Sequence, residues 1–328
     1  MAADSIVGAV TTGLSTASKD LLTAVVAAIN GTATVADVGT STVVSGVDTS
    51  GNSTGALISK GAETTGTIKD GSVSIGVVLP AKVGLNFAGP VKEVTAAAAA
   101  TYFKDLISAA LPSTNKTAAV VEKRASLESA VSLASDGQGS TLNVRVISIT
   151  NESTTGKSTD TVKLSGSSTG NKEVVAVNAA NLSKDQTLIL ENLDRVVLVN
   201  DAKVQVTGSS AFVAGDNANQ SISGGFGADT LVGGGGSDTL VGGYGADKFG
   251  FVGGGTINVG DFSKSQGDKL AIQLTGVTTN AQLINAVSAI QDTPAGMSVT
   301  FGSLGTITLV GVKIADITAD MIQLNINS

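Results

Sequence analysis

Between residues 224 and 250 a nine-residue unit recurs three times without interruption: GGFGADTLV at Gly224–Val232, GGGGSDTLV at Gly233–Val241 and GGYGADKFG at Gly242–Gly250. Each copy keeps glycine at its first, second and fourth positions, Asp at its sixth and a large apolar residue at its eighth. Glycine lets the backbone enter left-handed conformations, so a tight turn can aim several carbonyl oxygens inward, and the Asp adds a negative charge among them. Calcium suits such a donor set, because it takes roughly six to eight oxygens, here carbonyls together with carboxylates from two adjacent turns. The candidate metal-site residues are Gly224, Gly225, Phe226, Gly227 and Asp229 in the first copy, Gly233, Gly234, Gly235, Gly236 and Asp238 in the second, and Gly242, Gly243, Tyr244, Gly245 and Asp247 in the third. A phosphate-binding loop is excluded, since no Gly-Lys-Ser/Thr step follows any of the glycine clusters. The end of each copy reads as a short strand whose apolar residue, Leu231, Leu240 or Phe249, points inward.

These copies fit the pattern G-G-x-G-x-D-x-U-x and resemble the repeats-in-toxin (RTX, hemolysin-type) family. The resemblance implies a mainly β fold, a calcium-binding parallel β-roll in which two nonapeptides make one coil and turns eighteen residues apart stack on the same side. Gly224–Asp229 is then expected on Gly242–Asp247, with Asp229 and Asp247 near one ion. The turn holding Asp238 needs a partner on the opposite side, either Gly215–Gln220 (GDNANQ, with Gln where Asp belongs) or Phe251–Thr256, which lacks the Asp. One well-formed calcium site and one or two partial ones are expected, with Asp216, Asn217 and Asn219 as further candidate donors. Val259-Gly260-Asp261-Phe262 and Gly267-Asp268-Lys269-Leu270 look like the segment that follows the roll in many members; Asp261 and Asp268 either cap the roll, bind an ion or make plain turns. The tail, Asp316–Ser328, is similar to the region that type I exporters read, so the resemblance implies the type I secretion apparatus as a partner and folding outside the cell, where calcium is plentiful.

The composition narrows the function. With no histidine and no cysteine, zinc sites built on those side chains, thiolate chemistry and disulfides are unavailable. The protease and lipase versions of an RTX-bearing hydrolase need H-E-x-x-H, or G-x-S-x-G with a histidine partner, and both fail for want of histidine. Aromatic residues at 3 % offer few platforms for a carboxylate-based glycosidase, so no enzyme is expected. A net charge of −7 argues against nucleic acid and for a divalent cation. No basic segment followed by an apolar core opens the chain, and the longest nearly apolar run, Leu21–Ile29, is too short to span a bilayer.

The elements that must hold this site are read from periodicity. Helical spacing predicts an amphipathic helix over Ser5–Ile29 and two more over Val94–Leu111 and Lys116–Ala134, with short exposed strands between Gly31 and Gly76. From Thr141 the period becomes two, with strands at Leu142–Ile149, Val174–Val177, Leu188–Leu190, Val196–Val199 and Val204–Val206; a solenoid leading into the roll is favoured over a sandwich. A helix over Asn280–Ile290 and a hairpin of Met297–Phe301 with Thr306–Val312 follow. The expected organisation is a mixed α+β N-terminal assembly domain at 1–140, a solenoid-like segment at 141–214, the calcium roll at 215–270, and a C-terminal cap with the export region at 271–328. The Ala/Val/Thr/Ser/Gly-rich acidic composition resembles that of bacterial surface-layer proteins and points to a secreted subunit that assembles with copies of itself. The alternative is an adhesin that binds another cell or a polymer such as a surface polysaccharide.

Overall fold

The computed structural model describes residues 34–38, 41–47, 52–59, 63–70, 73–80, 83–90, 92–95, 97–99, 101–103, 129–132, 134, 141–151, 161–166 and 173–327. The helix expected over residues 5–29 lies outside them. From Asn143–Asn151 to Gly255–Val259 successive strands fall alternately into one sheet and then another, and all neighbours along this stretch of each sheet are parallel. Each coil thus gives one strand to each sheet, which makes a β-solenoid. Its register advances by eighteen residues per coil through the glycine-rich region: Ala202 lies beside Gln220, Phe212 beside Thr230, Ser221 beside Thr239 and Thr230 beside Lys248. Two nine-residue units therefore complete one coil.

The period-two pattern becomes two ladders of core side chains. Val162, Leu188, Val204, Ile222, Leu240, Val259 and Leu309 follow one another in register across one sheet. Val175, Val196, Val213, Leu231, Phe249 and Leu270 do so across the other. All are buried in a single core, at roughly 1.5–3 kcal/mol for each large side chain. The two sheets differ on their outer faces. Alternation in Ala202–Thr207 leaves Lys203 and Gln205 in solvent, whereas Glu173–Asn178 (EVVAVN) and Arg195–Val199 (RVVLV) read as nearly unbroken apolar runs because their sheet is covered on both sides. The outward row Val146, Ala176, Val197, Ala214 and Val232 belongs to a second core with Ala99, Phe103, Ala130, Val131 and Ala134. Arg195 fixes this cover, donating to the Ala134 carbonyl at 3.1 Å while its guanidinium lies 4.9 Å from the Phe212 ring centre.

The N-terminal strands depart from expectation. They are strands, yet Leu57, Ile68, Ile75, Val77 and Leu79 are buried in the solenoid's own core rather than exposed. Val83–Pro90, a segment to which the sequence pattern assigns no element, is a strand that pairs antiparallel with Asn143–Asn151, and Val73–Leu79 pairs antiparallel with Thr161–Ser165. Both sheets and the core therefore run across the boundary drawn at residue 140. Residues 97–99, 101–103, 129–132 and 134 are helical, within the two expected helices, but Val94 instead makes a β-bridge with Leu142.

At the other end, the helix is shorter than its spacing predicts. It runs Asn280–Ala286 behind a Thr279/Gln282 capping box, Val287 is extended, and Ala289–Asp292 forms a strand on Gly296–Thr300. The expected hairpin of Gly296–Thr300 with Gly305–Val310 is present. The tail folds back over the covered sheet: Ile326 is 1 % exposed, its N–H donates to Gln273 Oε1 and its carbonyl accepts from Lys248 Nζ.

Candidate metal centre

The eighteen-residue register sorts the glycine-rich turns into two rows. One row stacks Gly224–Asp229 on Gly242–Asp247, with Gly225 beside Gly243 and Phe226 beside Tyr244. The other row stacks 215–220 on 233–238 and then on 251–256; the Gly235 N–H donates to the Asp216 carbonyl and Gly236 lies beside Gly255. Both candidate partners of the Asp238 turn are thus used, one above it and one below. The turns close at glycines in the left-handed region, Gly227 at φ 107° and Gly245 at φ 133°. A Cβ on Gly245 would run into the Gly227 carbonyl, so the coils approach at a distance only glycine allows.

Each repeat Asp bridges two coils. Asp229 Oδ1 accepts the Ala211 N–H at 2.7 Å, Asp238 Oδ1 accepts Gln220 N–H at 2.8 Å, and Asp247 Oδ1 accepts Asp229 N–H at 2.8 Å. Their second oxygens, all three Oδ2 atoms, are buried without a hydrogen-bond partner. Each Oδ2 instead lies against the first glycine of its own copy, Gly224, Gly233 or Gly242, and beside Asp229 it is joined by the Gly242 carbonyl. Three carboxylate oxygens buried with nothing to satisfy them are a costly arrangement for a protein to retain without a cation. Among the described residues no three acidic side chains converge. The donors at these turns are one carboxylate oxygen from each regular repeat together with backbone carbonyls such as that of Gly242, an all-oxygen set that is the chemistry of calcium rather than of a transition metal.

The remaining sequence candidates take other places. Asp261 accepts the Gly242 and Gly243 N–H groups through its two oxygens, both at 2.8 Å, and Asp268 accepts from Asp247 N–H and Ser263 N–H. Both are caps on the last glycine-rich turn. Gln266, which sequence reasoning missed, completes the cap by accepting the Gly245 N–H and donating to the Gly243 carbonyl. The step from Asp247 to Asp268 is 21 residues, so no eighteen-residue signal could have found it. Phe226 and Tyr244 point outward, 68 % and 69 % exposed, and stack with ring centres 5.3 Å apart; only their backbones face the turns. Asn219 is exposed and its Oδ1 accepts the Ser237 N–H, while Asn217 is partly buried beside Gly235. Asp216 is fully buried and accepts from Asn200, Ala218 and Gln220.

The family model of the RTX calcium-binding nonapeptide repeat matches residues 215–249, in four copies. These turns are an RTX calcium-binding roll. The match takes in the degenerate unit at 215–223 beside the three regular ones. RTX repeats are typical of proteins secreted from the cell. No curated protein matches the chain. Among the described residues no helix is long and apolar enough to cross a membrane.

Burial has a measurable consequence for the RTX carboxyls. It pushes Asp229 from an ordinary value of 3.8 up to about 6 and Asp238 up to about 8, the neighbouring Asp247 and Asp216 adding to the rise. Asp247 and Asp268 are raised too, by burial first. Raised folded-state values mean that the calcium-free roll holds protons the unfolded chain releases, so this contribution to stability is full below pH 3.8 and is lost as pH rises through 6 and 8. In chelator, the melting temperature of the roll is expected to be higher at pH 5 than at pH 8. Calcium displaces those protons, and a weakly buffered titration at pH 7 should record proton release on calcium addition. Calcium uptake at pH 7 with no proton release would contradict this account of the buried oxygens.

Proposed function

We propose that this chain is a structural subunit and not an enzyme, secreted by a type I exporter and assembling outside the cell with copies of itself into a surface layer, filament or biofilm matrix. In this reading, calcium is held by Asp229, Asp238 and Asp247 with carbonyls of the glycine-rich turns, and it switches the chain into its assembling form. The observation that supports assembly most is the terminal strand that each sheet has at either end among the described residues. Among the described residues, Thr34–Val38 and Thr64–Asp70 are the last strands of the two sheets at one end, and Ala289–Asp292 and Ile322–Gln323 at the other. Terminal strands carry backbone groups that a further strand can pair, and head-to-tail addition that does not close on itself produces a fibre. The cap also exposes Ile284, Ile290 and Ile314. Burial of Ile326 against the covered sheet suits an export region that is read before the roll folds.

An adhesin is the second reading, favoured by the open sheet. Its outer face sets Lys203, Ser221, Thr239, Asn258 and Thr308 side by side in register, a flat polar row suited to a polysaccharide. Electron microscopy of the purified protein, in millimolar calcium and again in chelator, separates the two. Ordered sheets or filaments that form only with calcium support the structural subunit. A folded chain that stays monomeric at high concentration overturns it in favour of the adhesin.

A further inference from the structure

The unit at 215–220 departs from the other repeats by carrying Gln220 at the position of the Asp, a change that removes a carboxylate from the turn. The geometry nevertheless preserves the oxygen. Gln220 is 2 % exposed, and its Oε1 is buried without a hydrogen-bond partner, as are the Oδ2 atoms of Asp229, Asp238 and Asp247. It also occupies the corresponding place: it lies against Gly215, the first residue of its own unit, together with the Gly233 carbonyl, just as Asp229 Oδ2 lies against Gly224 with the Gly242 carbonyl. The longer side chain is held there at its far end. Gln220 Nε2 donates to Asp216 Oδ1 at 2.9 Å and to the Asn200 carbonyl at 3.1 Å. These two acceptors fix the orientation of the amide, because a flip would set its oxygen against a carboxylate and a carbonyl. Asp216, itself fully buried, stands where the regular copies have their second glycine and places a negative charge one hydrogen bond behind the amide.

We propose that Gln220 is a calcium ligand. The amide oxygen and the Gly233 carbonyl belong to a site between the turns 215–220 and 233–238, with Asp216 supplying through the amide part of the charge that the missing carboxylate would have given. A neutral donor in place of a charged one lowers affinity, since calcium sites are tuned by the number of charged ligands. The roll then binds calcium in two classes, tight at the carboxylates of the regular repeats and weaker at Gln220. The inference rests on the calcium chemistry of the RTX roll and is independent of assembly, because its test counts ions bound per chain whether or not filaments form.

The test is calcium titration of the full chain by isothermal calorimetry, with circular dichroism in saturating calcium as the check on folding. Wild type should show a weak class beside a tight one. Gln220→Leu, close in size but without the oxygen, should lose the weak class and keep the tight one. Gln220→Asp restores the regular repeat and should tighten the weak class by about tenfold or more. Should Gln220→Leu fail to fold, Gln220→Asp alone decides. Unchanged stoichiometry and affinities in the folded Leu variant, or no tightening in the Asp variant, would overturn the proposal.

Discussion

At pH 9, above the values to which burial raises Asp229 and Asp238, removing calcium from the purified protein is expected to unfold the coils from residue 202 onward. A site saturated at about a thousand times its dissociation constant contributes about 4 kcal/mol by mass action, and a whole domain is stable by only about 5–15 kcal/mol. Two or three such sites therefore account for most of the roll's stability. Without the cation the Oδ2 oxygens of Asp229, Asp238 and Asp247 are left buried and unpaired, either ionised at high cost or protonated. The coils before residue 200 use different turns. Asn192 and Asn200 adopt positive φ there, and Asn200 Nδ2 donates to Asn178 Oδ1 at 2.7 Å, so those turns are closed by amides. Far-UV circular dichroism should lose a large part of its β signal in chelator and regain it when calcium returns. Limited proteolysis should cut between residues 205 and 270 while leaving 173–199 protected. A spectrum indifferent to chelator, with residues 205–270 resistant to protease, would show that the turns need no ion.

The second large effect is expected from Gly245→Ala. The residue sits at φ 133°, a conformation that L side chains rarely adopt, and the added Cβ meets the Gly227 carbonyl and the backbone around it. Backbone cannot move aside as the end of a flexible side chain can. The coils must separate, pulling Gly227 N–H from the Tyr244 carbonyl and Asp229 N–H from Asp247 Oδ1, each at 2.8–2.9 Å. A loss of about 3 kcal/mol or more is expected, from strain together with the broken bonds between coils. Gly311→Ala is the control. It has φ 73° with nothing within 4 Å of its Cβ, so its cost should stay near the local penalty of about 1–2 kcal/mol. Melting curves of both variants in saturating calcium test the difference, and equal losses would mean that the contact between Gly245 and Gly227 does not limit the stack.

The sequence alone was enough to determine the calcium chemistry. Glycine and Asp at fixed positions can serve few purposes other than carbonyl-rich turns; a nine-residue period does not by itself set the coil, and it was the resemblance to RTX repeats that implied two units per coil and the pairing of Gly224–Asp229 with Gly242–Asp247, which the register shows. The inward side chains Leu231, Leu240 and Phe249 were legible because strand alternation is a local property of the backbone.

What lay beyond the period was decided by the tertiary structure. The strands between residues 52 and 76 read as exposed from their Thr and Gly content, and only their place across both sheets buries Leu57, Ile68 and Ile75. The outer row Val146, Ala176 and Val197 is apolar in the sequence, but nothing local says that a second core covers it. Asp261, Gln266 and Asp268 cap a turn about twenty residues away in the chain, and Gln220 keeps an oxygen where the motif loses its Asp. Repetition writes its geometry into the sequence because each unit meets a copy of itself. The ends of the repeat and its covers meet unlike partners, and those contacts exist only once the chain has brought distant residues together.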